Sequence, residues 1–188
     1  MDEEIFIKKM TLDDVLEMRK FQNNESPLLS GYNFTARTPL ECKFWYYVKT
    51  SGNSNYFICY LGNRVIGYVS MKYIDYKNGT STLGIVLDPK YQSKGLGRKI
   101  LVKFFNYYFG LGFKDMTLQV DFFNIRAQKL YKSIGFKRYG RSYQIFYGDV
   151  DKDDLSMREY FVFIGEYIFS KVYLMRLKKE DFADFLEG

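Results

Sequence analysis

Apolar residues along this chain follow two spacings, which predict short strands that alternate with amphipathic helices. Alternating or continuous apolar runs predict strands over residues 4–8, 55–61, 65–71, 80–88 and 116–123, another near 143–147, and a hydrophobic final segment over 160–177. Helix signals predict starts at Thr11, Thr38, after Gly95 and at Asn124, and a short helix over 179–187. Asn-Asn, Ser-Pro and Ser-Gly pairs predict a loop over 22–37. No repeat or linker interrupts this order, so we predict a single domain over residues 1–188.

A glycine-rich turn follows the strand that ends near Leu87. Its residues are Gln92, Ser93, Lys94, Gly95, Leu96, Gly97 and Arg98. A helix begins with unpaired N–H donors and about half a positive charge, so its start attracts phosphate. Glycine has no Cβ, so Gly95 and Gly97 permit a tight turn and a close ligand. The turn therefore predicts a phosphate-binding site, although an ordinary strand–turn–helix junction would use the same glycines.

Two better-known phosphate-binding loops do not fit this turn. The spacing is not G-x-x-x-x-G-K-[ST], and G-x-G-x-x-G fails because Lys99 and Ile100 follow Gly97 and Arg98. A second informative segment begins at Asn124, which is a good N-cap, and ends at Gly135, which is a good residue to follow a helix. Within it, Asn124 and Tyr131 are seven residues apart, which is two helical turns, so they share a face.

Together these two segments resemble motifs A and B of the GNAT superfamily of acyl-CoA-dependent N-acyltransferases. The first carries the Q/R-x-x-G-x-G/A pattern, and the second carries Asn124, Tyr131 and the pair Gly135-Phe136. The resemblance implies an α+β GNAT fold, with a mixed central sheet of about seven strands flanked by helices and splayed between strands 4 and 5. The segment Phe163–Leu177 also resembles the ribosomal-protein and polyamine acetyltransferase branch, alongside amino-sugar acetyltransferases, although an extra loop near 148–158 departs from it.

The resemblance also implies a co-substrate and a role for each site residue. Acetyl-CoA is the implied co-substrate, and its pyrophosphate would bind at Gln92, Ser93, Lys94, Gly95, Leu96, Gly97 and Arg98. The backbone of Leu87, or of its neighbour Val86, would hold pantetheine and supply an N–H group to the oxyanion. Asn124 would serve the pantetheine end, although N-capping alone also explains it. Tyr131 would protonate the departing coenzyme A, although a tyrosine on a helix is often a core residue.

The implied activity is direct transfer of an acetyl group to a primary amine in a ternary complex. The acceptor is a polyamine, an amino sugar or a protein N-terminus, and the alternative is a non-catalytic acyl-CoA-binding module of the same fold. No carboxylate occurs in Thr80–Leu87, where some relatives carry a general base. Asp75, Asp88 and Glu41 are near in sequence, but we favour a water chain that ends at a backbone carbonyl.

Composition limits the chemistry further. Histidine is absent, which excludes Ser–His and Cys–His nucleophiles and histidine metal sites. The acidic loop 149–154 does not fit a calcium-binding EF-hand, because Asp154 stands where glycine is needed and Tyr160 where glutamate is needed. We therefore expect no metal.

Charge and cysteine content set expectations about partners and location. The net charge of +6 suits a polyanion such as coenzyme A. The chain has no RNP-like strand and no basic run, so we expect no nucleic-acid partner. No apolar stretch is long enough to cross a membrane. The acidic start and only two cysteines, Cys42 and Cys59, favour a reducing cytoplasm. Exposed aromatic residues in the N-terminal helices leave a homodimer open.

Overall fold

The computed structural model describes residues 4–148 and 150–187. The described chain separates into two compact units: residues 4–23 and 34–116 form the first, and residues 24–33 and 117–187 form the second. Residues 1–3, which belong to the acidic start, and Asp149, which begins the acidic loop, lie outside the described residues. The single domain over 1–188 stays a prediction.

The described residues of the first unit form four strands and three α-helices. The strands are β1 (Ile5–Lys9), β2 (Ser54–Leu61), β3 (Arg64–Asp75) and β4 (Thr80–Leu87), and the helices are α1 (Leu12–Met18), α2 (Pro39–Thr50) and α3 (Leu96–Gly110). β1 pairs antiparallel with β2, β2 with β3, and β3 with β4. The predicted elements of this part of the chain are confirmed, and β4 leads directly into the glycine-rich turn and α3.

Reciprocal hydrogen bonds fix the starts of the first two helices. The Thr11 hydroxyl accepts the Asp14 N–H at 3.4 Å, and the Asp14 carboxylate accepts the Thr11 N–H at 2.8 Å. Thr38 and Glu41 form the same pair at 3.2 and 2.8 Å. Each pair satisfies two backbone donors that a helix start leaves unpaired, so it forms a capping box. Both predicted starts are confirmed.

Aromatic rings form much of the core of the first unit. The Trp45 ring meets Phe34, Tyr56 and Tyr68 edge-on, with ring centroids 5.4–5.9 Å apart. Edge-on contacts of this kind are favourable beyond the apolar area that they bury. The buried face of α3 consists of Ile100, Leu101, Phe104, Phe105, Tyr108 and Phe109. This packing holds α3 by one face and leaves its N-terminus at the surface.

One face of α2 is apolar and exposed to solvent. Leu40, Phe44, Tyr47 and Val48 recur at helical spacing along it, and each is more than half exposed. The expectation that the N-terminal helices carry exposed aromatic residues is confirmed. The homodimer stays an expectation.

The second unit contains most of β5 (Asp115–Asp121) and all of the later elements. These are α4 (Ile125–Lys132), β6 (Lys137–Ile145), β7 (Phe161–Ile164), β8 (Tyr167–Lys178) and α5 (Lys179–Glu187). β8 pairs antiparallel with both β6 and β7. The hydrophobic final segment is thus a hairpin, with Gly165 at a φ of 56° in its turn, and the described chain has eight strands rather than about seven. The predicted splay between strands 4 and 5 stays a prediction.

Residues 24–33 differ from the loop that the sequence predicts over 22–37. Pro27–Tyr32 is a 3₁₀ helix, and Pro27 suits its first position. The Ser30 hydroxyl donates to the Pro27 carbonyl at 2.6 Å. The backbone and side-chain amides of Asn24 both donate to Asn33 Oδ1 at 2.8 Å, which closes the segment on itself. These local hydrogen bonds give Tyr32 a defined position.

Candidate functional site

The turn between β4 and α3 is an exposed helix start with an unusual backbone. Gly95 is the N-cap of α3 and has a φ of 74°, in the left-handed region that glycine occupies without strain. A Cβ atom at Gly95 would meet no heavy atom within 4 Å, so the space beside this residue is open. Ser93 also has a positive φ, of 59°. The turn therefore presents backbone rather than side chain to a ligand.

Donors and positive charges converge at this helix start. The N–H groups of Gly95, Leu96 and Gly97 donate to none of the residues that the structure describes. They lie at the positive end of the 15-residue helix α3. The flanking cations are Lys90, Lys94, Arg98 and Lys99, and no acidic residue occurs between them. This arrangement fits a pyrophosphate group.

Side chains at the end of β4 hold the turn in place. The buried Asp88 carboxylate accepts the N–H groups of Lys90 at 3.1 Å and of Gln22 at 3.2 Å. The Gln92 amide donates to the Leu87 carbonyl at 2.9 Å. Gln92 thus braces the strand end in this structure, and its predicted contact with pyrophosphate stays a prediction.

The pairing of β4 with β3 shows that the N–H groups of the two candidate oxyanion donors point in opposite directions. The Asp88 N–H donates to the Ile66 carbonyl at 2.9 Å, and Val86 lies opposite Tyr68 in the same register. Donors along an antiparallel strand alternate in direction, so the Val86 N–H points toward β3 and the Leu87 N–H points away from it. The geometry therefore favours Leu87 over Val86 as a backbone donor to a ligand.

In the second unit, Asn124 and Tyr131 occupy the two ends of α4. Asn124 is the N-cap, and its Oδ1 accepts the Ala127 N–H at 3.1 Å. The Tyr131 side chain is buried beside the Phe136 ring, and its hydroxyl forms no hydrogen bond with any described residue. Burial raises the pKa of Tyr131 well above its usual value, because an apolar environment disfavours the phenolate. Tyr131 is therefore a protonated phenol at neutral pH.

Two residues that the sequence analysis does not single out lie beside this pair. The buried Asp121 carboxylate accepts a hydrogen bond from the Tyr32 hydroxyl. Burial raises the pKa of Tyr32 well above its usual value, Asp121 raises it further, and the Asn124 side chain partly offsets the shift. A negative charge on an ionised Tyr131 would raise the pKa of Tyr32 further. An acidic residue at the end of β5 is the signal that the sequence offered for Asp121, whereas nothing marked Tyr32 within its loop.

The three carboxylates near the predicted fourth strand all have structural roles. Asp88 holds the turn, as described above, and Glu41 closes the capping box of α2. Asp75 accepts the Asn78 N–H at 3.0 Å in the turn before β4. Because each is occupied by hydrogen bonds from the backbone, none stands out as a general base. The water chain stays a hypothesis.

The described residues offer neither a metal-binding cluster nor a membrane-spanning helix. Across residues 4–148 and 150–187, no group of three or more Cys, Asp or Glu side chains is placed to hold a metal ion. In the same part of the chain, every helix is too short or too polar to cross a membrane.

Comparison with known proteins agrees with the motifs. The model of the acetyltransferase (GNAT) family matches residues 17–136. N-acetylaspartate synthetase of Xenopus tropicalis is 29% identical over 131 residues, which cover 67% of this chain and 46% of that protein. The ribosomal protein bS18-alanine N-acetyltransferase of Haemophilus ducreyi is 28% identical over 90 residues, which cover 42% of this chain and 62% of that protein. The chain thus spans about half to three-fifths of these relatives.

Solved structures show the same fold. The spermidine N-acetyltransferase of Vibrio cholerae, solved with CoA and spermine, superposes with a TM-score of 0.72 at 19% identity and covers 95% of this chain and 98% of that chain. A GNAT acetyltransferase of Streptococcus pneumoniae superposes with a TM-score of 0.61 at 23% identity and covers 93% of this chain and 99% of that chain. At these identities the likeness concerns the fold alone, and it confirms the predicted fold class.

Proposed function

Because the chain belongs to the acetyltransferase (GNAT) family, we propose that it transfers the acetyl group of acetyl-CoA to a primary amine by direct transfer in a ternary complex. The observation that carries this proposal is the exposed start of α3. Three N–H groups without a partner among the described residues, an open space beside Gly95 and four nearby cations suit the pyrophosphate of a coenzyme. The family pattern of the turn supports the choice of coenzyme A.

We assign the acyl-transfer roles as the motifs suggest. The Leu87 N–H would donate to the oxygen of the tetrahedral intermediate, where negative charge develops. A bond forms between the amine nitrogen and the carbonyl carbon, and the bond from that carbon to sulfur breaks. The Tyr131 hydroxyl, which is protonated at neutral pH, would give its proton to the departing thiolate. Water would carry the proton that the amine loses to the solvent, and the solvent would return a proton to the Tyr131 phenolate.

The acceptor is a small amine, such as a polyamine or an amino sugar, or a protein N-terminus. The names of the relatives support this range, since they include a spermidine and a ribosomal-protein alanine N-acetyltransferase. We also propose a cytoplasmic location. Cys42 and Cys59 are both free and buried, and burial raises the pKa of the Cys59 thiol to about 12, so it stays protonated and unreactive.

A thiol-release screen tests the proposal. Purified protein is given acetyl-CoA with polyamines, amino sugars or peptides, and free coenzyme A is measured against reactions without acceptor. We expect release that depends on at least one amine, together with the acetylated product by mass spectrometry. Tight binding of acetyl-CoA without transfer to any amine would instead support the alternative, a non-catalytic acyl-CoA-binding module.

A further inference from the structure

The second unit contains a buried carboxylate with neutral partners. Asp121 lies at the end of β5 and is 2% exposed. Its Oδ1 accepts the Gln144 amide at 3.0 Å, and its Oδ2 accepts the Tyr32 hydroxyl. Neither partner carries a positive charge, and none of the described lysine or arginine side chains forms an ion pair with Asp121.

The two neutral hydrogen bonds do not fully compensate for the burial of the Asp121 charge. Aspartate is almost never fully buried unless it is paired, because removing its charge from water is costly. Two neutral hydrogen bonds offset part of that cost. A carboxylate offers about four lone-pair sites, of which these two bonds use two, so acceptor capacity is left for a further donor. A cation would supply both the missing charge and the missing donor.

A second buried polar group lies on the same side of the strands. The Ser170 hydroxyl on β8 is fully buried and has no hydrogen-bond partner among the described residues. Ser170 is directly opposite Gln144 on β6, so the two side chains share a face of the sheet. Buried hydroxyls are nearly always hydrogen-bonded. This face therefore presents a free hydroxyl beside the amide that binds Asp121.

The carboxylate also adjoins the residues that the motifs assign to the acyl end. The pKa of the Tyr32 hydroxyl, which contacts Asp121, depends on both Asn124 and Tyr131. The Asn124 N–H donates to the Asp121 carbonyl at 3.0 Å, which fixes the spacing between the two residues. The Tyr32 ring adds an aromatic surface, which is favourable beside an ammonium group. Asp121 therefore lies beside the residues that the motifs assign to the acyl end.

We propose that Asp121 anchors an ammonium group of the acceptor and that the acceptor is an alkyl diamine or polyamine. The acetylated nitrogen must be neutral when it attacks the thioester, whereas the nitrogen bound to Asp121 is charged. The two nitrogens are therefore different atoms of one molecule. This inference rests on the proposed function and narrows its substrate class.

A purely structural role for Asp121 makes a different prediction. If the carboxylate only fastens residues 24–33 to β5, then losing either member of the Tyr32–Asp121 pair has the same effect. If it is an anchor, the two substitutions act in different ways. Asp121→Asn removes the charge, whereas Tyr32→Phe leaves the charge and removes a donor that competes for it.

Calorimetric titration of the full-length protein with coenzyme A present tests the anchor directly. The probes are 1,4-diaminobutane and butylamine, which differ in the second amino group. We expect the wild type to bind the diamine at least about tenfold more tightly than the monoamine, as a hydrogen bond between charged groups provides. Equal affinities in the wild type overturn the proposal, and this arm requires no variant to fold.

Substitutions then test whether Asp121 is the residue that causes the preference for the diamine over the monoamine. We expect Asp121→Asn to bring the affinity ratio close to one, and Tyr32→Phe to keep the ratio at its wild-type value or above. Asp153→Asn removes an exposed carboxylate of the same unit and should change nothing. An unchanged ratio in Asp121→Asn overturns the proposal, and so does an equal loss of the ratio in both variants.

Thiol release separates this inference from the proposed function. Acetyl transfer with equal kcat/KM for the diamine and the monoamine supports the proposed function and overturns the anchor. No transfer to any amine overturns the proposed function, whereas a diamine preference that Asp121→Asn abolishes in calorimetry still supports an ammonium site at Asp121.

Discussion

The turn over residues 92–98 and the Tyr32–Asp121 pair are opposite kinds of candidate site. The turn is exposed, its parts are adjacent in sequence, and its chemistry comes from backbone donors that have no acceptor among the described residues. The pair is buried, and its members are 89 positions apart. A backbone site needs only a local pattern, so the sequence reveals it. A site built by long-range packing becomes visible only when the fold brings its side chains together.

The largest effect that we expect concerns proton transfer near the buried pair. Tyr131→Phe keeps the ring and its packing on Phe136 but removes the hydroxyl. Loss of a general acid lowers rates by about a hundredfold or more, so kcat should fall by at least that factor while affinity for coenzyme A is retained. Thiol-release assays measure kcat, and calorimetry measures the affinity for coenzyme A.

The matched control is Tyr143→Phe, which removes an exposed hydroxyl from β6 of the same unit. It should leave kcat unchanged. The raised pKa of Tyr131 adds a further expectation, because the wild-type rate should persist as pH approaches 10, the usual tyrosine value. An unchanged rate in Tyr131→Phe at every pH would remove the acid role.

The next effect tests the exposed turn. Gly97→Glu places a negative charge in the first turn of α3. The helix dipole stabilises a negative charge there, but the same charge repels a pyrophosphate group. We expect the dissociation constant of coenzyme A to rise about thirtyfold, by about 2 kcal/mol, without loss of stability. Calorimetry and urea unfolding measure the two.

Gly110→Glu is the control, since it adds the same charge at the exposed far end of the same helix, about 20 Å away. Its affinity for coenzyme A should match that of the wild type. If both variants weaken binding equally, the effect is one of net charge and the helix start is not the pyrophosphate site.

The difference between local patterns and long-range contacts also explains which features the sequence predicts. The strands before α3, both capping boxes and the glycine turn follow from local patterns, and the structure confirms them. The extra strand β7 was missed because a hairpin at Gly165 divides a continuous apolar run. β6 begins at Lys137, earlier than predicted, because its exposed polar residues hide a strand that pairing with β8 creates. The sequence predicts a loop around Tyr32, and the contact that gives this residue a role is with Asp121, which is distant in sequence.

A smaller effect should appear in stability. Tyr32→Phe removes a hydroxyl that donates to a buried carboxylate, which we expect to lower the free energy of unfolding by about 1.5 kcal/mol at neutral pH. The folded-state pKa of Tyr32 is raised, so its contribution is complete below the unfolded value of about 10 and is lost as pH rises above it. Urea unfolding should show the gap between wild type and variant shrinking above about pH 10. A gap that grows with pH would contradict the assigned hydrogen bond, and Tyr143→Phe should show no gap at all.

The smallest effect concerns Asn124, which belongs to both kinds of site because it caps α4 locally and adjoins Tyr32 at long range. Asn124→Ser keeps a good N-cap, so the free energy of unfolding should stay within about 0.5 kcal/mol of the wild type. If the amide also serves the coenzyme, affinity for acetyl-CoA should fall about fivefold, which is the size of one neutral hydrogen bond. Asn124→Ala separates the two roles, since it should lose about 1 kcal/mol of stability as well as the same affinity. Calorimetry and urea unfolding on the three proteins measure both, and unchanged affinity in Asn124→Ser would reduce Asn124 to a helix cap.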